Sequence, residues 1–218
     1  MKLNTGDRIC PLCGAAEAKD FYRDETRDYF RCRRCNLVFV PSRQFLSPED
    51  EKARYDLHRN LPDDKNYRRF LGRLFIPMRD ILTPGAKGLD FGSGPGPTLS
   101  LMFEQAGHPM SVYDCFYSPD QSVLKKQYDF ITATEVAEHL HRPGEELSRL
   151  WRCLRPGGKL GIMTKFTPGP DEFASSHYRK DLTHVSFFSK ATFEWLAARW
   201  PAKILFCEND VIIFSKED

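Results

Sequence analysis

The sequence predicts an α/β fold, a doubly wound and mostly parallel sheet with an antiparallel C-terminal hairpin, preceded by a small cysteine-framed unit. Two observations lead to this prediction. Segments typical of strands alternate with segments typical of helices from residue 83 to residue 218, and this alternation favours parallel strands joined by helices. Four of the seven cysteines fall within the first 35 residues, where they form two closely spaced pairs.

The N-terminal cysteines have the spacing of a metal site. Cys10 and Cys13 form one C-x-x-C pair, and Cys32 and Cys35 form a second pair after 18 intervening residues. Four thiolates in this arrangement are typical of tetrahedral zinc, with no coordination position left for chemistry. The sequence therefore predicts a structural zinc ribbon over residues 1–40. The other three cysteines are predicted to be ordinary buried residues: Cys115, Cys153 and Cys207.

Residues 41–82 are predicted to form a helical connector. Ser47 is a suitable N-cap and Pro48 a suitable first residue for a helix that continues to residue 60. A second helix is predicted from Asp64 to Leu82, because its apolar residues recur at helical spacing. Three polar residues of the connector could cover a ligand pocket or lie on the surface: Tyr55, His58 and Asn60.

Residues 83–218 supply the elements of the sheet. Strands are predicted at 87–92, 109–114, 128–135 and 159–166, and helices at 97–107, 143–158 and 189–200. Two last segments, 202–210 and 211–217, are predicted to close the sheet as the antiparallel hairpin. Ligands of such folds bind at the carboxyl ends of the strands, where the strand order reverses.

The loop after the first strand of this sheet is rich in glycine. Gly92, Gly94 and Gly96 follow one another as G-x-G-x-G, whereas dinucleotide-binding loops use G-x-G-x-x-G. Glycine lets the backbone approach a ligand closely. Asp114 ends the next strand, 18 residues after Gly96, and a carboxylate at this point can accept hydrogen bonds from both hydroxyls of a ribose.

These residues resemble the class I S-adenosylmethionine-dependent methyltransferase family. The similarity rests on LDFGSGPG, the acid of SVYD, the segment YDFITATEVAEHL and the turn LRPGGKLGIM, and it covers roughly residues 65–218. It implies S-adenosylmethionine as the cofactor. The residues that it places at the cofactor are Asp90, which orients the loop, and Gly92, Ser93, Gly94, Gly96, Asp114 and Glu135.

One segment departs from the pattern of that family. Only 14 residues separate Asp114 from Asp129, which is too short for the helix and the further strand that the family normally has there. The strand is therefore predicted to be abbreviated or missing. Adenine contacts could come instead from Cys115, Phe116 or Tyr117.

A possible reactive site follows the third strand of the sheet. Glu135, Glu138 and His139 read E-x-x-E-H, and in a helix these positions would share one face. Two carboxylates and an imidazole suit Mg²⁺, Mn²⁺, Fe²⁺ or Zn²⁺. A further ligand could come from the long insert at 167–189, which contains His177, Asp181 and His184.

The E-x-x-E-H motif with a later histidine resembles two methyltransferase families. One is the plant small-RNA 3′-terminal 2′-O-methyltransferases, and the other is the ubiquinone-biosynthesis catechol O-methyltransferases. The resemblance implies a divalent ion, and such an ion could chelate two adjacent hydroxyls of the acceptor. Lys165 or His177 could assist as a base or orienting group. The ligands it implies are Glu135, Glu138, His139 and His184.

Two readings without a metal stay open for the same motif. Glu135 could contact the cofactor while His139 acts as a base, or the motif could only pack the fold. His184 could equally form a salt bridge with Asp181 in a lid over the acceptor. The insert at 167–189 is predicted to form that lid.

The sequence favours an enzyme that methylates an oxygen atom of a small molecule. The net charge of +2 excludes a strongly basic nucleic-acid coat, and with the short lid it favours a small molecule over an RNA end. The chain shows no signal peptide and no apolar run long enough to span a bilayer, so we expect a cytoplasmic monomer or weak dimer without a membrane partner. The alternative is a zinc-ribbon adaptor for RNA or protein on a degenerate methyltransferase fold. Sugar C-methyltransferases also have cysteine-rich N-terminal units, but they are much longer.

Overall fold

The computed structural model describes residues 5–57 and 61–217. In this part of the chain six strands form the larger sheet, and they are β4 (Gly88–Phe91), β5 (Met110–Tyr113), β6 (Tyr128–Thr134), β7 (Leu154–Met163), β9 (Ala202–Glu208) and β10 (Val211–Lys216). Four strands form a second, smaller sheet, and they are β1 (Ala18–Arg23), β2 (Asp28–Cys32), β3 (Val38–Phe39) and β8 (Ser186–Phe187). The α-helices are α1 (Pro48–Tyr55), α2 (Lys65–Arg79), α3 (Thr98–Gln105), α4 (Pro143–Arg152), α5 (Pro170–Ser175) and α6 (Lys190–Arg199).

The larger sheet has the predicted doubly wound topology. Its strand order is β5-β4-β6-β7-β10-β9, with β5, β4, β6 and β7 parallel and the hairpin of β9 and β10 antiparallel at one edge. After β4, the chain forms β5 on one side of that strand and then crosses over to form β6 on its other side. The strand order therefore reverses at the carboxyl end of β4, where the glycine loop begins.

Helices cover both faces of the larger sheet because adjacent strand residues point to opposite sides. On one face, Leu74 of α2 and Phe103 of α3 pack with Phe130 of β6. On the other face, Leu150 of α4 and Leu196 of α6 belong to the core that contains the remaining inward strand residues. Both surfaces of the parallel strands are consequently buried, as this sheet type requires.

The connector contains the two predicted helices, and both end before the predicted residue, α2 at Arg79 and not at Leu82. The Ser47 side chain accepts the Asp50 backbone N–H and so caps α1, as predicted. The Asp64 carboxylate accepts two backbone N–H groups and caps α2. Helix α1 ends at Tyr55, so the predicted continuation toward residue 60 is wrong at 56–57, and residues 58–60 lie outside the described residues.

The predicted helix over 143–158 is also too long. Helix α4 ends at Arg152, and β7 already begins at Leu154. Pro156 lacks the N–H that a continued helix needs, and Gly157 has a φ of 70°, which a helix excludes. The pairing of β6 with β7 is irregular at this point, so the Pro-Gly-Gly turn is a bulged entry into the strand.

The segment between β5 and β6 has no further strand, as predicted. Residues 115–127 contain one short 3-10 turn, Val123–Lys125, and an isolated bridge joins Asp114 to Ser118. Strand β5 therefore forms the edge of the larger sheet.

The cysteine-framed unit packs directly against the larger domain. Strand β8 of the distant insert joins the sheet of β1, β2 and β3 at its edge. Val38 of β3 pairs with Phe187 of β8, and Phe39 pairs with Ser186. At the start of α4, Gly144 lies so close to the Leu12 carbonyl oxygen that a side chain would overlap it. The ribbon and the sheet thus share one buried core.

Within residues 5–57 and 61–217, no helix combines the length and the apolar character that crossing a membrane requires.

Candidate functional site

The four N-terminal cysteines converge as predicted. Their sulfur atoms all lie within 4.8 Å of one another, with 3.5 Å between the Sγ atoms of Cys10 and Cys35 and 3.5 Å between those of Cys13 and Cys32. Tetrahedral zinc with bonds of ~2.3 Å places sulfur atoms ~3.8 Å apart. The cluster therefore fits a structural zinc ion.

Hydrogen bonds and burial shift the pKa values of three of these cysteines in different directions. A hydrogen bond from the Cys35 thiol lowers the pKa of Cys10 to about 6. Burial raises the pKa of Cys13 to about 12, and the Cys35 pKa rises because its proton is held by Cys10. Four thiolates would repel one another here, so a bound zinc ion would supply the charge that stabilises them.

The glycine loop leaves β4 in a left-handed conformation. Gly92 and Gly94 have φ values of 75° and 64°, and a side chain on Gly92 would overlap Val136. Below the loop, the Asp90 carboxylate accepts hydrogen bonds from Ser100 Oγ at 3.1 Å and Thr132 Oγ1 at 2.8 Å. Asp90 thus ties β4 to α3 and β6 and does not project into solvent.

Asp114 lies at the end of β5, beside the glycine loop. Its Oδ2 accepts the Gly94 backbone N–H at 2.9 Å, and its Oδ1 accepts the N–H groups of Phe116 and Tyr117 at 2.9 and 3.1 Å. Oδ1 thus already accepts two hydrogen bonds, whereas Oδ2 keeps a second lone pair for a ribose hydroxyl. Ser93 and Gly96, predicted at the cofactor, belong to this same loop and are partly exposed.

Helix α1 covers the segment predicted to contact adenine. The Tyr55 ring lies 5.7 Å from the Phe116 ring and 5.2 Å from the His139 ring, measured between centroids. The Tyr117 hydroxyl donates to Asp56 Oδ1 at 2.6 Å. Tyr55 therefore lies between Phe116 and the E-x-x-E-H motif, whereas His58 and Asn60 fall outside the described residues.

Cys115 is the one residue of that segment whose placement differs from prediction. It is exposed, whereas Cys153 is buried as predicted and Cys207 is half-buried.

The E-x-x-E-H motif does not open an α-helix. Its second half forms a 3-10 turn, Ala137–His139, and Glu135 has a left-handed φ of 54°. The Glu135 backbone N–H donates to the Met163 carbonyl oxygen at 2.8 Å, and this bond completes the pairing of Thr134 with Met163 at the end of β6. The prediction that positions 135, 138 and 139 share one helical face is thus wrong.

A carboxylate and two imidazoles nevertheless meet at this end of the sheet. Glu138, His139 and His184 each offer one ligand atom, and these atoms all lie within 4.8 Å of one another. Glu138 is fully buried. Its Oε2 accepts a hydrogen bond from Thr164 Oγ1 at 2.8 Å, and its Oε1 has no hydrogen-bond partner among the described residues.

Backbone carbonyl groups orient both imidazoles. The Nδ1 of His139 lies 3.2 Å from the Thr183 oxygen, and the Nδ1 of His184 lies 2.6 Å from the Tyr178 oxygen. A carbonyl only accepts, so each Nδ1 bears a proton and the neutral ring has its lone pair on Nε2. This is the arrangement of metal-binding histidines in proteins. Burial and the neighbouring His139 lower the pKa of His184, which favours its neutral form.

Glu135 lies outside this three-residue group. Burial, together with the charges of Glu138 and Asp210, raises its pKa to about 8, while Arg73 opposes the rise. Arg73 and Asp210 form an ion pair with 2.5 Å between Nη1 and Oδ2. Glu135 is therefore protonated at neutral pH more readily than an ordinary glutamate.

The structure places Tyr178, and not the predicted His177, against the buried group. His177 is exposed and so is Lys165, whose ammonium lies 5.9 Å from the Tyr178 ring centroid. The Tyr178 hydroxyl lies 2.9 Å from Thr164 Oγ1, and burial raises the Tyr178 pKa. No spacing in the sequence distinguished Tyr178 or Thr164, because both depend on how the insert folds back over the sheet.

A family model described as a methyltransferase domain matches residues 58–200, which is more than half of the chain. This chain belongs to the methyltransferase domain family. Comparison with curated protein sequences finds no match.

Solved structures show the methyltransferase fold of the chain. The 1,6-didemethyltoxoflavin-N1-methyltransferase of Burkholderia thailandensis is 18% identical, with a TM-score of 0.50 and a match that covers 92% of this chain and 100% of that one. The magnesium protoporphyrin IX methyltransferase of Synechocystis PCC 6803 is 12% identical, with a TM-score of 0.51 and coverage of 78% of this chain and 94% of that one. This methyltransferase domain therefore has the Rossmann-like fold that the sequence predicted.

Proposed function

We propose that this methyltransferase moves a methyl group from S-adenosylmethionine to a hydroxyl oxygen of a small molecule at Glu138, His139 and His184. The observation behind this proposal is the convergence of these three side chains at the carboxyl end of β6. Val136 joins them to the cofactor loop, because its side chain fills the space above Gly92. An acceptor bound at the three side chains would lie next to the loop that binds the methyl donor.

The glycine loop and Asp114 support S-adenosylmethionine as the donor. The loop leaves β4 where the strand order reverses, which is the ligand position in this type of sheet. Asp114 Oδ2 would accept a ribose hydroxyl, and Phe116 beneath Tyr55 would contact the adenine. The Burkholderia thailandensis and Synechocystis structures both contain bound S-adenosylhomocysteine, the compound that remains after methyl transfer.

The donor set of the site fits a divalent ion. One carboxylate and two neutral imidazoles are the protein ligands of several catalytic metals, and the unpartnered Oε1 of buried Glu138 needs a positive or hydrogen-bonding partner. A divalent ion, when bound, would lower the pKa of a coordinated hydroxyl and hold it near the methyl group. Glu138, His139 and His184 would be its ligands, with Glu135 outside the set.

The chain's own residues would orient the acceptor and exclude water from it. Tyr55 covers the site from α1, and Tyr178 closes it from the insert. Glu138 Oε1 is the buried atom that can accept the hydrogen bond of the acceptor hydroxyl. The donor is already activated as a sulfonium, so positioning supplies most of the rate enhancement.

The Glu138→Gln variant tests this proposal. Glutamine keeps the size of the side chain but removes the carboxylate, so we expect methyl transfer to fall at least about 100-fold. Affinity for S-adenosylhomocysteine, measured by calorimetry, should stay within about twofold, because Glu138 lies apart from the glycine loop. His177→Ala is the matched control and should retain activity, since His177 is exposed.

Screening with radiolabelled S-adenosylmethionine identifies the acceptor class. Pools of catechols, phenols and vicinal diols should become labelled, whereas short single-stranded RNAs should not. Labelling of RNA alone would contradict the small-molecule proposal. No calorimetric binding of cofactor at millimolar concentration would contradict an enzyme and favour an adaptor.

A further inference from the structure

The insert that contains His184 rests on the cysteine ribbon. In this insert α5 has six residues and is followed by one 3-10 turn, Tyr178–Lys180. Its Phe173 packs edge to face against Phe21 and Tyr29 of the ribbon, at centroid distances of 5.2 and 5.2 Å. Much of the order in the insert therefore comes from the ribbon.

Arg27 makes the most direct connection between the two. It lies at the turn between β1 and β2 and is 3% exposed. Its guanidinium donates to the backbone carbonyl oxygens of Asp181 at 3.2 Å and His184 at 2.9 Å, and also to that of Leu182. Three carbonyl dipoles in the loop before β8 thus converge on one buried cation.

Two further ribbon residues hold the chain just before that loop. The Asp24 carboxylate pairs with Arg179 at 2.5 Å, and the Tyr29 hydroxyl donates to the Arg179 carbonyl oxygen at 3.2 Å. Arg179 follows Tyr178 directly, and the Tyr178 carbonyl oxygen is the one that accepts the His184 Nδ1 proton. The ribbon therefore holds the backbone carbonyl group of His184, and it also holds the chain beside Tyr178, whose carbonyl oxygen accepts the proton of the His184 ring.

The opposite side of His184 is tied to the rest of the site. The Val185 N–H donates to the Glu138 carbonyl oxygen at 2.8 Å, and the Val40 N–H donates to the Val185 carbonyl oxygen at 2.9 Å. One residue next to His184 thus joins the ribbon strand to the Glu138 turn. A small shift of the ribbon would move His184 relative to Glu138.

We infer that the ribbon hairpin is a working part of the reactive site and that Arg27 is a positioning residue, which sets the place and tautomer of His184. Burying a guanidinium against carbonyl groups costs free energy that an apolar side chain would avoid. The compensating gain is a precisely placed imidazole. Loss of the residues that orient a metal-binding histidine typically lowers the activity or the metal affinity of the protein about 10–100-fold. The effect on turnover rests on the proposed function, whereas the position of the His184 ring does not.

Nitrogen NMR of the histidine side chains in the full chain tests this inference. His184 is assigned by the signal that disappears in His184→Gln, and in the unchanged protein it should show one tautomer with the proton on Nδ1. In Arg27→Gln we expect that signal to shift or to split between tautomers. His108 is the internal control, because its Nδ1 lies 3.2 Å from the Ala86 oxygen and belongs to the far core.

Kinetics on the same variants distinguish a positioning role of Arg27 from a role in folding alone. Turnover should fall about 10–100-fold in Arg27→Gln and less in Arg27→Lys, which keeps the charge but not the fork of donors. Affinity for S-adenosylhomocysteine should stay within about twofold. Arg23→Gln is the matched control from the same hairpin, because Arg23 is exposed and pairs only with Asp28 among the described acids.

A His184 signal unchanged in well-folded Arg27→Gln would overturn the inference. If Arg27→Gln does not fold, Asp24→Asn gives the second test, because loss of the Arg179 ion pair should move the Tyr178 carbonyl and perturb the same signal. An altered His184 signal in a protein that methylates nothing would contradict the proposed function alone.

Discussion

The fold favours the protonated form of the Asp90 side chain. The side chain lies below the glycine loop and is almost completely buried, at 4% exposure. Burial raises its pKa to about 6, although hydrogen bonds from Thr132 and Ser100 oppose the rise. The residue that the sequence placed at the cofactor loop therefore also affects the pH dependence of stability.

We expect the stability of the protein to fall between about pH 4 and pH 6 because of Asp90. The unfolded aspartate titrates near ~3.9, so the native state binds more protons than the unfolded chain in this window, and the free energy of unfolding decreases as pH rises. The Asp90→Asn side chain is neutral at every pH, so the stability of this variant should fall by about 2 kcal/mol less than that of the unchanged protein over the same range. Urea denaturation at pH 4, 5 and 6 measures this difference, and parallel curves for the two proteins would contradict it.

Single residues show how far the sequence could predict the site. Glu138 and His139 were predicted from residue type and spacing, and His184 from the resemblance of the motif to two methyltransferase families. The structure brings these three together and leaves out Glu135. Tyr178 was not predicted, because its neighbour His177 has the more reactive side chain and only the path of the insert decides which of them faces inward. Arg27 could not be predicted, since its partners are backbone carbonyl groups more than 150 positions away in the chain.

At the scale of elements, the sequence predicted most helices and strands but misjudged their ends. E-x-x-E-H has the same spacing in a helix and in a turn, so its periodicity could not reveal that Glu135 still pairs with β7 through its backbone. In α4 the apolar periodicity ends at Trp151, and the following Pro-Gly-Gly belongs to the next strand. These ends depend on tertiary hydrogen bonds, which sequence patterns do not contain.

Helix α1 gives a prediction at this scale. Ser47→Ala removes the side chain that accepts the Asp50 N–H, and loss of such a cap costs about 1 kcal/mol. We expect hydrogen exchange of the α1 amides to quicken about fivefold, with α6 unchanged. Ser189→Ala is the reciprocal control, because Ser189 caps α6 and its loss should affect α6 alone. Equal exchange in α1 of the two variants would contradict a local role for the cap.

At the scale of the whole molecule, the ribbon and the methyltransferase domain share their apolar core. The cysteines and Leu12 belong to the same buried cluster as Leu147 and Leu150 of α4, and β8 completes the ribbon sheet. The sequence predicted the ribbon from its cysteines but had no signal for this union, because β8 is only two residues long. Two units with one core should unfold together.

Calorimetry of the full chain tests this union. We expect a single unfolding transition, with agreement between the calorimetric and van't Hoff enthalpies. Metal analysis should find about one zinc ion per chain, and Cys32→Ser should lose that ion and unfold at a lower temperature as one unit, because the metal stabilises the folded state. Cys207→Ser is the control, since Cys207 is half-buried in β9 away from the cluster, and it should retain the zinc. Two separate transitions, with the larger one unmoved by Cys32→Ser, would show that the ribbon folds independently and does not support the sheet.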